Sequence, residues 1–178
     1  MLGMQQFGLL VGRINQGPGA DFGCWLFESG MAFGDMVSWW QPAQARRPTA
    51  HEGVDFFRYV DQSGRRHYMA DCLVPAPCRC RVVAVCDDFL GRSLFLVPNR
   101  PAAERHLFVF GHLKPLVEIG RQVRTGDVVG RVTTPQGRVP GHLHVSCLQG
   151  DWRHLPQQLS WPDLLAEPGL RFVRPFAG

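Results

Sequence analysis

The sequence predicts an all-β fold: an antiparallel sheet, closed like a barrel or sandwich, with an N-terminal extension and one short C-terminal helix. Two observations lead there. The 178-residue chain carries 20 Gly and 14 Pro, a content that favours frequent turns and short strands over long helices. From residue 51 onward, apolar residues recur in short runs between turn signals, the pattern of strands rather than of an amphipathic helix. The length suits one good core. Residues 1–47 are expected to be an extension packing on or occluding the core, and residues 48–178 the main domain with its tail.

The elements follow in chain order. The extension is rich in Gly and aromatics (FGCWLFESGMAFGDMVSWW) before a polar stretch, QPAQARRPTA; the pair Trp39-Trp40 is expected to pack onto the main domain. HEGVDFFRYV is the first strand-like run. DQSGRRHY follows, with a turn at Ser63-Gly64 as in a hairpin. CRCRVVAVC is a strand on which Cys78, Cys80 and Cys86 share the parity of Val82 and Ala84, hence one face. These read as buried thiols, although six cysteines permit disulfides and their clustering permits a second metal site. SLFLVPN and RHLFVFGHL are two more strands, joined by a long loop through NRPAAER. VEIGRQVRTGDVVGRV is expected to turn at Gly120, Gly126 and Gly130. HLHVSCL is the last clear strand, and Trp161–Ala166 is a short helix with Pro162 acceptable at its start.

Several function classes drop out on composition. The net charge is +4 without a dense basic run, so no nucleic-acid partner is expected. No stretch approaches 18 apolar residues, so no membrane span is expected. No secretory signal is legible at the N-terminus.

Chemistry concentrates in three places. His142 and His144 in GHLHV are two apart on a strand and project into one space. His51 and Asp55 in HEGVD, four apart, can both reach one divalent ion. Zinc takes His nitrogen and Asp oxygen, and three protein ligands with one open position is the catalytic arrangement; one of the two histidines of H-x-H would complete it. His112 in VFGHLKP, at a strand end, adds a further imidazole.

HEGVD, GHL and GHLHV, in that order, resemble the motifs of the lysostaphin-type (LytM-like) zinc endopeptidases of bacterial cell walls: His-x-x-x-Asp, a His before Leu, and His-x-His. LVPAPCRCRVVAV and LVEIGRQVRTGDVVGRV also resemble the family's entry into its central sheet and its turn-rich run, so the likeness covers roughly residues 48–148. The resemblance implies a zinc ion held by His51, Asp55 and His144. It implies that His142 and His112 move protons and steady the transition state, on a peptide of peptidoglycan, outside the cytoplasm. Glu52 and Asp127 are candidates to anchor the ligand histidines. Two departures bear on the substrate groove: Pro140-Gly141 stands reversed before HLHV, and Ser146 stands where an acidic residue is common. Some relatives are latent, which makes Asn15 and Cys24 candidate inhibitory ligands; deleting residues 1–45 would then raise activity. The alternatives are a catalytically silent LytM-like binding or regulatory module, a carrier domain acylated on Lys114, and a cupin-like barrel drawing on His154.

Overall fold

The computed structural model describes residues 3–19, 21–41, 45–99, 105–134, 137–152 and 160–176. Helix α1 (Met4–Gln16) is followed by strands β1 (Phe22–Leu26), β2 (Gly53–Phe56), β3 (Arg58–Asp61), β4 (Arg66–Tyr68), β5 (Leu73–Pro75) and β6 (Cys80–Asp88). Then come β7 (Gly91–Pro98), β8 (His106–Pro115), β9 (Gln122–Val123), β10 (Val128–Val132), β11 (Leu143–Gly150), helix α2 (Trp161–Ala166) and β12 (Leu170–Val173). Among the described residues every strand pair is antiparallel. A nine-stranded sheet runs in the order β12-β11-β8-β7-β6-β9, with β10 pairing β5 and β8, and β2 pairing β11; a three-stranded sheet runs β1-β3-β4. The all-β class expected from the sequence is therefore found. The predicted hairpin turn is present between β3 and β4, where Gly64 has φ +84° and Asp61 Oδ1 accepts from the backbone N–H groups of Ser63 and Arg65.

The apolar runs of β7 and β8 are buried on both faces. Leu94, Leu96, Phe108 and Phe110 join the larger core, whereas Phe95, Val97, Leu107 and Val109 join a second core that Leu164 of α2 helps to close. Continuous burial of this kind explains why SLFLVP and HLFVF show no polar alternation. The single cysteine face expected on CRCRVVAVC is corrected. A bulge between Val82 and Ala84 shifts the register of β6 against β7, so Cys80 and Val82 enter the larger core while Ala84 and Cys86 enter the second. Bulges break side-chain parity in this way. Burial pushes the Cys86 thiol up to about 11 and the Cys147 thiol up to about 12, which suits inert thiols. Gly130, expected at a turn, lies inside β10; an added Cβ there would come 3.1 Å from Leu113 and 3.2 Å from the Lys114 carbonyl.

Helix α1 was not legible in the sequence. Its glycines lower helix propensity, yet one of them admits the packing that holds it. A Cβ on Gly8 would lie 2.2–2.5 Å from ring atoms of Phe22, so only glycine lets the helix rest on that ring. Phe7 and Val11 are fully buried in the larger core. The Phe7 ring sits 5.7 Å from Phe56, 5.9 Å from Phe110 and 5.1 Å from Phe176. Asn15 ties the helix to β5 in both directions, donating to the Leu73 carbonyl and accepting from the Leu73 N–H at 2.9 and 2.8 Å. We expect Phe7→Ala to cost about 3–5 kcal/mol, the usual penalty for emptying an aromatic site in a core, read as a lowered urea midpoint at unchanged slope. Deleting residues 1–45 would remove these core side chains along with any covering segment.

Candidate metal centre

Strand register assembles the site. On β11, His144 faces Asp55 of β2 on one side and Gly111 of β8 on the other. Three adjacent strands therefore line up Asp55, His144 and the neighbourhood of His112. His142 lies two residues before His144, just ahead of β11, and His51 lies four before Asp55, just ahead of β2. Hydrogen bonds lock the His51 backbone to residues 34 and 35: its N–H donates to the Asp35 carbonyl and its carbonyl accepts from Gly34, at 2.9 and 2.8 Å.

His51, Asp55 and His144 form one tight, buried group, the only one among the described residues that could hold a metal ion. His51 Nε2 is 3.3 Å from His144 Nδ1 and 3.2 Å from Asp55 Oδ1, and His144 Nδ1 is 2.8 Å from Asp55 Oδ1. For ligand bonds of about 2.0–2.2 Å, the corners of a tetrahedron lie about 3.3–3.6 Å apart. The two edges at His51 come close to one face of a zinc tetrahedron, and the 2.8 Å edge between His144 and Asp55 would have to open by about half an ångström. The donor set, two imidazoles and a carboxylate, fits zinc as well.

The outward nitrogens of the ligand histidines are anchored, as metal-binding imidazoles require. His51 Nδ1 donates to the Ala32 carbonyl at 3.1 Å, and His144 Nε2 donates to Ser146 Oγ at 2.7 Å. Ser146 thus serves as the anchor of His144. Of the two anchors expected, Glu52 stands only within 3.8 Å of His144 Nε2. Asp127 is corrected: it closes the turn between β9 and β10 by accepting from the Arg124 N–H at 2.7 Å, and it does not line the site. The second oxygen of Asp55 accepts from Trp39 Nε1 at 2.7 Å and lies 3.6 Å from Arg47. The extension thus reaches the site through Trp39 and Arg47.

Gly53 of HEGVD has a steric reason. A Cβ there would lie 2.6 Å from both Cε1 and Nε2 of His144 and from the Val145 carbonyl. We expect Gly53→Ala to displace the His144 ring and weaken metal binding by more than about tenfold, the scale of lost ligand support, measured by competition with a zinc indicator.

Electrostatics follow from burial and pairing. Burial would raise the Asp55 carboxyl, but hydrogen bonds from His144 and His51 outweigh it and hold the group well below the carboxylate range. Burial would lower His144, but its bond to Asp55 wins and raises it. His142 is pushed down to about 4, chiefly by burial, with Asp55 opposing. It is thus neutral near pH 7; its Nδ1 donates to the Pro140 carbonyl at 2.8 Å and its Nε2 lies 3.6 Å from Asp55 Oδ1. The His112 ring lies edge-on to His142, with centroids 4.7 Å apart. All five residues line one cavity of about 230 Å³, with Trp40, Arg47, Glu52, Phe89, Trp161 and Leu165 as its other walls.

Neither candidate inhibitory ligand lines that cavity. Asn15 is committed to β5, and Cys24 is exposed on β1 opposite Val60. Lys114 lies within β8 rather than at a hairpin tip, which does not suit an acylated carrier. His154 lies outside the described residues.

The structure superposes on the solution structure of lysostaphin with a TM-score of 0.50, at 19% identity, over 85% of this chain and 53% of that one. The fold is lysostaphin-type, LytM-like. This LytM-like chain spans little more than half of that lysostaphin structure. It also overlaps LytU with a TM-score of 0.48 at 20% identity, over 75% of this chain and 82% of LytU. With the catalytic domain of the antimicrobial peptidase lysostaphin from Staphylococcus simulans the TM-score is 0.45 at 20% identity, over 64% and 73% of the two chains. No family model and no curated protein matches the chain. No helix among the described residues is long and apolar enough to cross a membrane.

Proposed function

We propose that this LytM-like chain is a zinc-dependent endopeptidase that hydrolyses peptide bonds, with stem peptides or cross-bridges of peptidoglycan as the substrate its resemblance implies. The observation that carries the reading is the triangle of His51 Nε2, Asp55 Oδ1 and His144 Nδ1, with edges of 2.8–3.3 Å, in the same cavity as two further imidazoles. Zinc held there would acidify a water to a pKa of about 7 and polarise a peptide carbonyl. The chain's own groups do the rest. His142, neutral and fixed through Nδ1, is set to take a proton on Nε2. His112, whose ring meets that of His142 edge-on, is the second imidazole placed to accept a proton and later pass it on. Trp40, Phe89, Trp161 and Leu165 supply apolar walls, with Phe89 and Leu165 exposed to solvent where a substrate side chain could rest on them.

The test is zinc content of the purified protein, followed by hydrolysis of defined peptidoglycan fragments and unrelated peptides. About one zinc per chain and chelator-sensitive cleavage is the expected result. A protein that takes up no zinc overturns the reading. One zinc per chain without cleavage of any peptide returns the function to a binding module.

A further inference from the structure

β8 bulges where it carries His112. Against β7 its register steps from Leu113 opposite Arg92 to Phe110 opposite Leu94, so β8 holds one residue more than its partner. His112 takes up that residue with φ +66°. A bulge turns a side chain off its normal face and removes a backbone N–H from the ladder. Both consequences meet at one carboxylate. Asp88, at the tip of the β6–β7 hairpin, accepts the orphaned His112 N–H on Oδ2 at 2.9 Å and faces His112 Nδ1 with Oδ1 at 3.1 Å.

The remaining partners of Asp88 fix the direction of that second bond. Leu90 N–H donates to Oδ1 at 2.9 Å, and Ser93 donates its hydroxyl to Oδ2 at 2.8 Å. Trp161 Nε1 donates into the Ser93 oxygen at 2.9 Å, so the hydroxyl proton points away from the indole and toward Asp88 Oδ2. A side chain only 1% exposed, facing two backbone donors and a committed hydroxyl, is an acceptor throughout. The proton between Asp88 and His112 therefore resides on Nδ1.

We propose that Asp88 is a positioning residue: with Ser93 and Trp161 behind it, it holds the His112 ring with its proton on Nδ1 and its Nε2 directed at the metal centre. The catalytic consequence rests on the peptidase reading; the orientation does not. A carboxylate behind an imidazole selects the tautomer that can act as base, and an amide in its place selects the wrong one.

The test reads the tautomer directly. In protein labelled with 15N-histidine, the His112 signals are those missing from His112→Gln. Wild type is expected to carry Nδ1–H with Nε2 unprotonated. In Asp88→Asn the side-chain amide donates to Nδ1, moves the ring proton to Nε2 and lowers kcat by about 10²–10⁴-fold, with KM and zinc content unchanged. Ser93→Ala is expected to keep the wild-type tautomer and lose less than about tenfold. A wild-type ring protonated on Nε2 overturns the proposal, as does an Asp88→Asn protein with the wild-type tautomer and full kcat. If Asp88→Asn does not fold, the wild-type spectrum alone decides. If no peptide is cleaved but the tautomer follows residue 88, the peptidase reading fails and the positioning stands.

Discussion

His144→Ala is expected to abolish both zinc binding and hydrolysis. His144 Nδ1 forms two of the three edges of the ligand triangle, to Asp55 at 2.8 Å and to His51 at 3.3 Å. Its loss leaves two ligands, too few for a tetrahedral site. The damage extends to the metal-free protein. Asp55 is 2% exposed, and His144 is first among the hydrogen-bond partners that hold its carboxyl low. Removing one partner of a buried pair costs about 3–5 kcal/mol, so the variant should also unfold at lower denaturant. Zinc stoichiometry, peptide cleavage and a urea titration on the same sample separate these effects. A variant that keeps one zinc per chain and full activity would sink the ligand assignment. Adding a chelator to wild type is the milder form of the same experiment. It should lower stability by about 4 kcal/mol if zinc is present at a thousand times its Kd.

His142→Ala should do the opposite: keep the metal and lose the reaction. The ring approaches Asp55 only to 3.6 Å and is anchored on a backbone carbonyl, so the triangle does not depend on it. We expect kcat to fall by about 10²–10⁴-fold, the usual loss when a general acid or base is deleted, at wild-type zinc content. Because the His142 and His112 rings pack edge-on in the same cavity, His112→Ala on top of it should add little, as for groups that act as a unit. Additive losses would mean that the two serve separate steps.

How much of this was legible beforehand depended on distance along the chain. Spacing within HEGVD and HLHV is local, and strand parity alone told that His142 and His144 share a space. That the two motifs meet is a matter of register, since Asp55 faces His144 across 89 residues. No periodicity carries such information; only the resemblance suggested it. Asp88 stayed hidden because its part depends on a bulge in another strand, and Trp39 because an indole reads as packing. The Ala32 carbonyl is backbone and has no signature at all. Helix α1 was missed because Gly8 looks like a helix breaker until Phe22 is seen beneath it, and the cysteine face because one bulge at Val82 reverses parity.

The ring of Phe7 touches that of Phe176, 5.1 Å away, and this contact sets a condition on biosynthesis. Helix α1 can rest early on Phe22 and Phe56, but the side of Phe7 that meets Phe176 has no partner until nearly all of the described chain has been made. Contacts closed over such separations form slowly, and the Phe7 face stays uncovered in the meantime. A nascent chain stalled before residue 176 would therefore present an apolar face to solvent and to other chains. Chaperone capture should be strongest on such stalled chains.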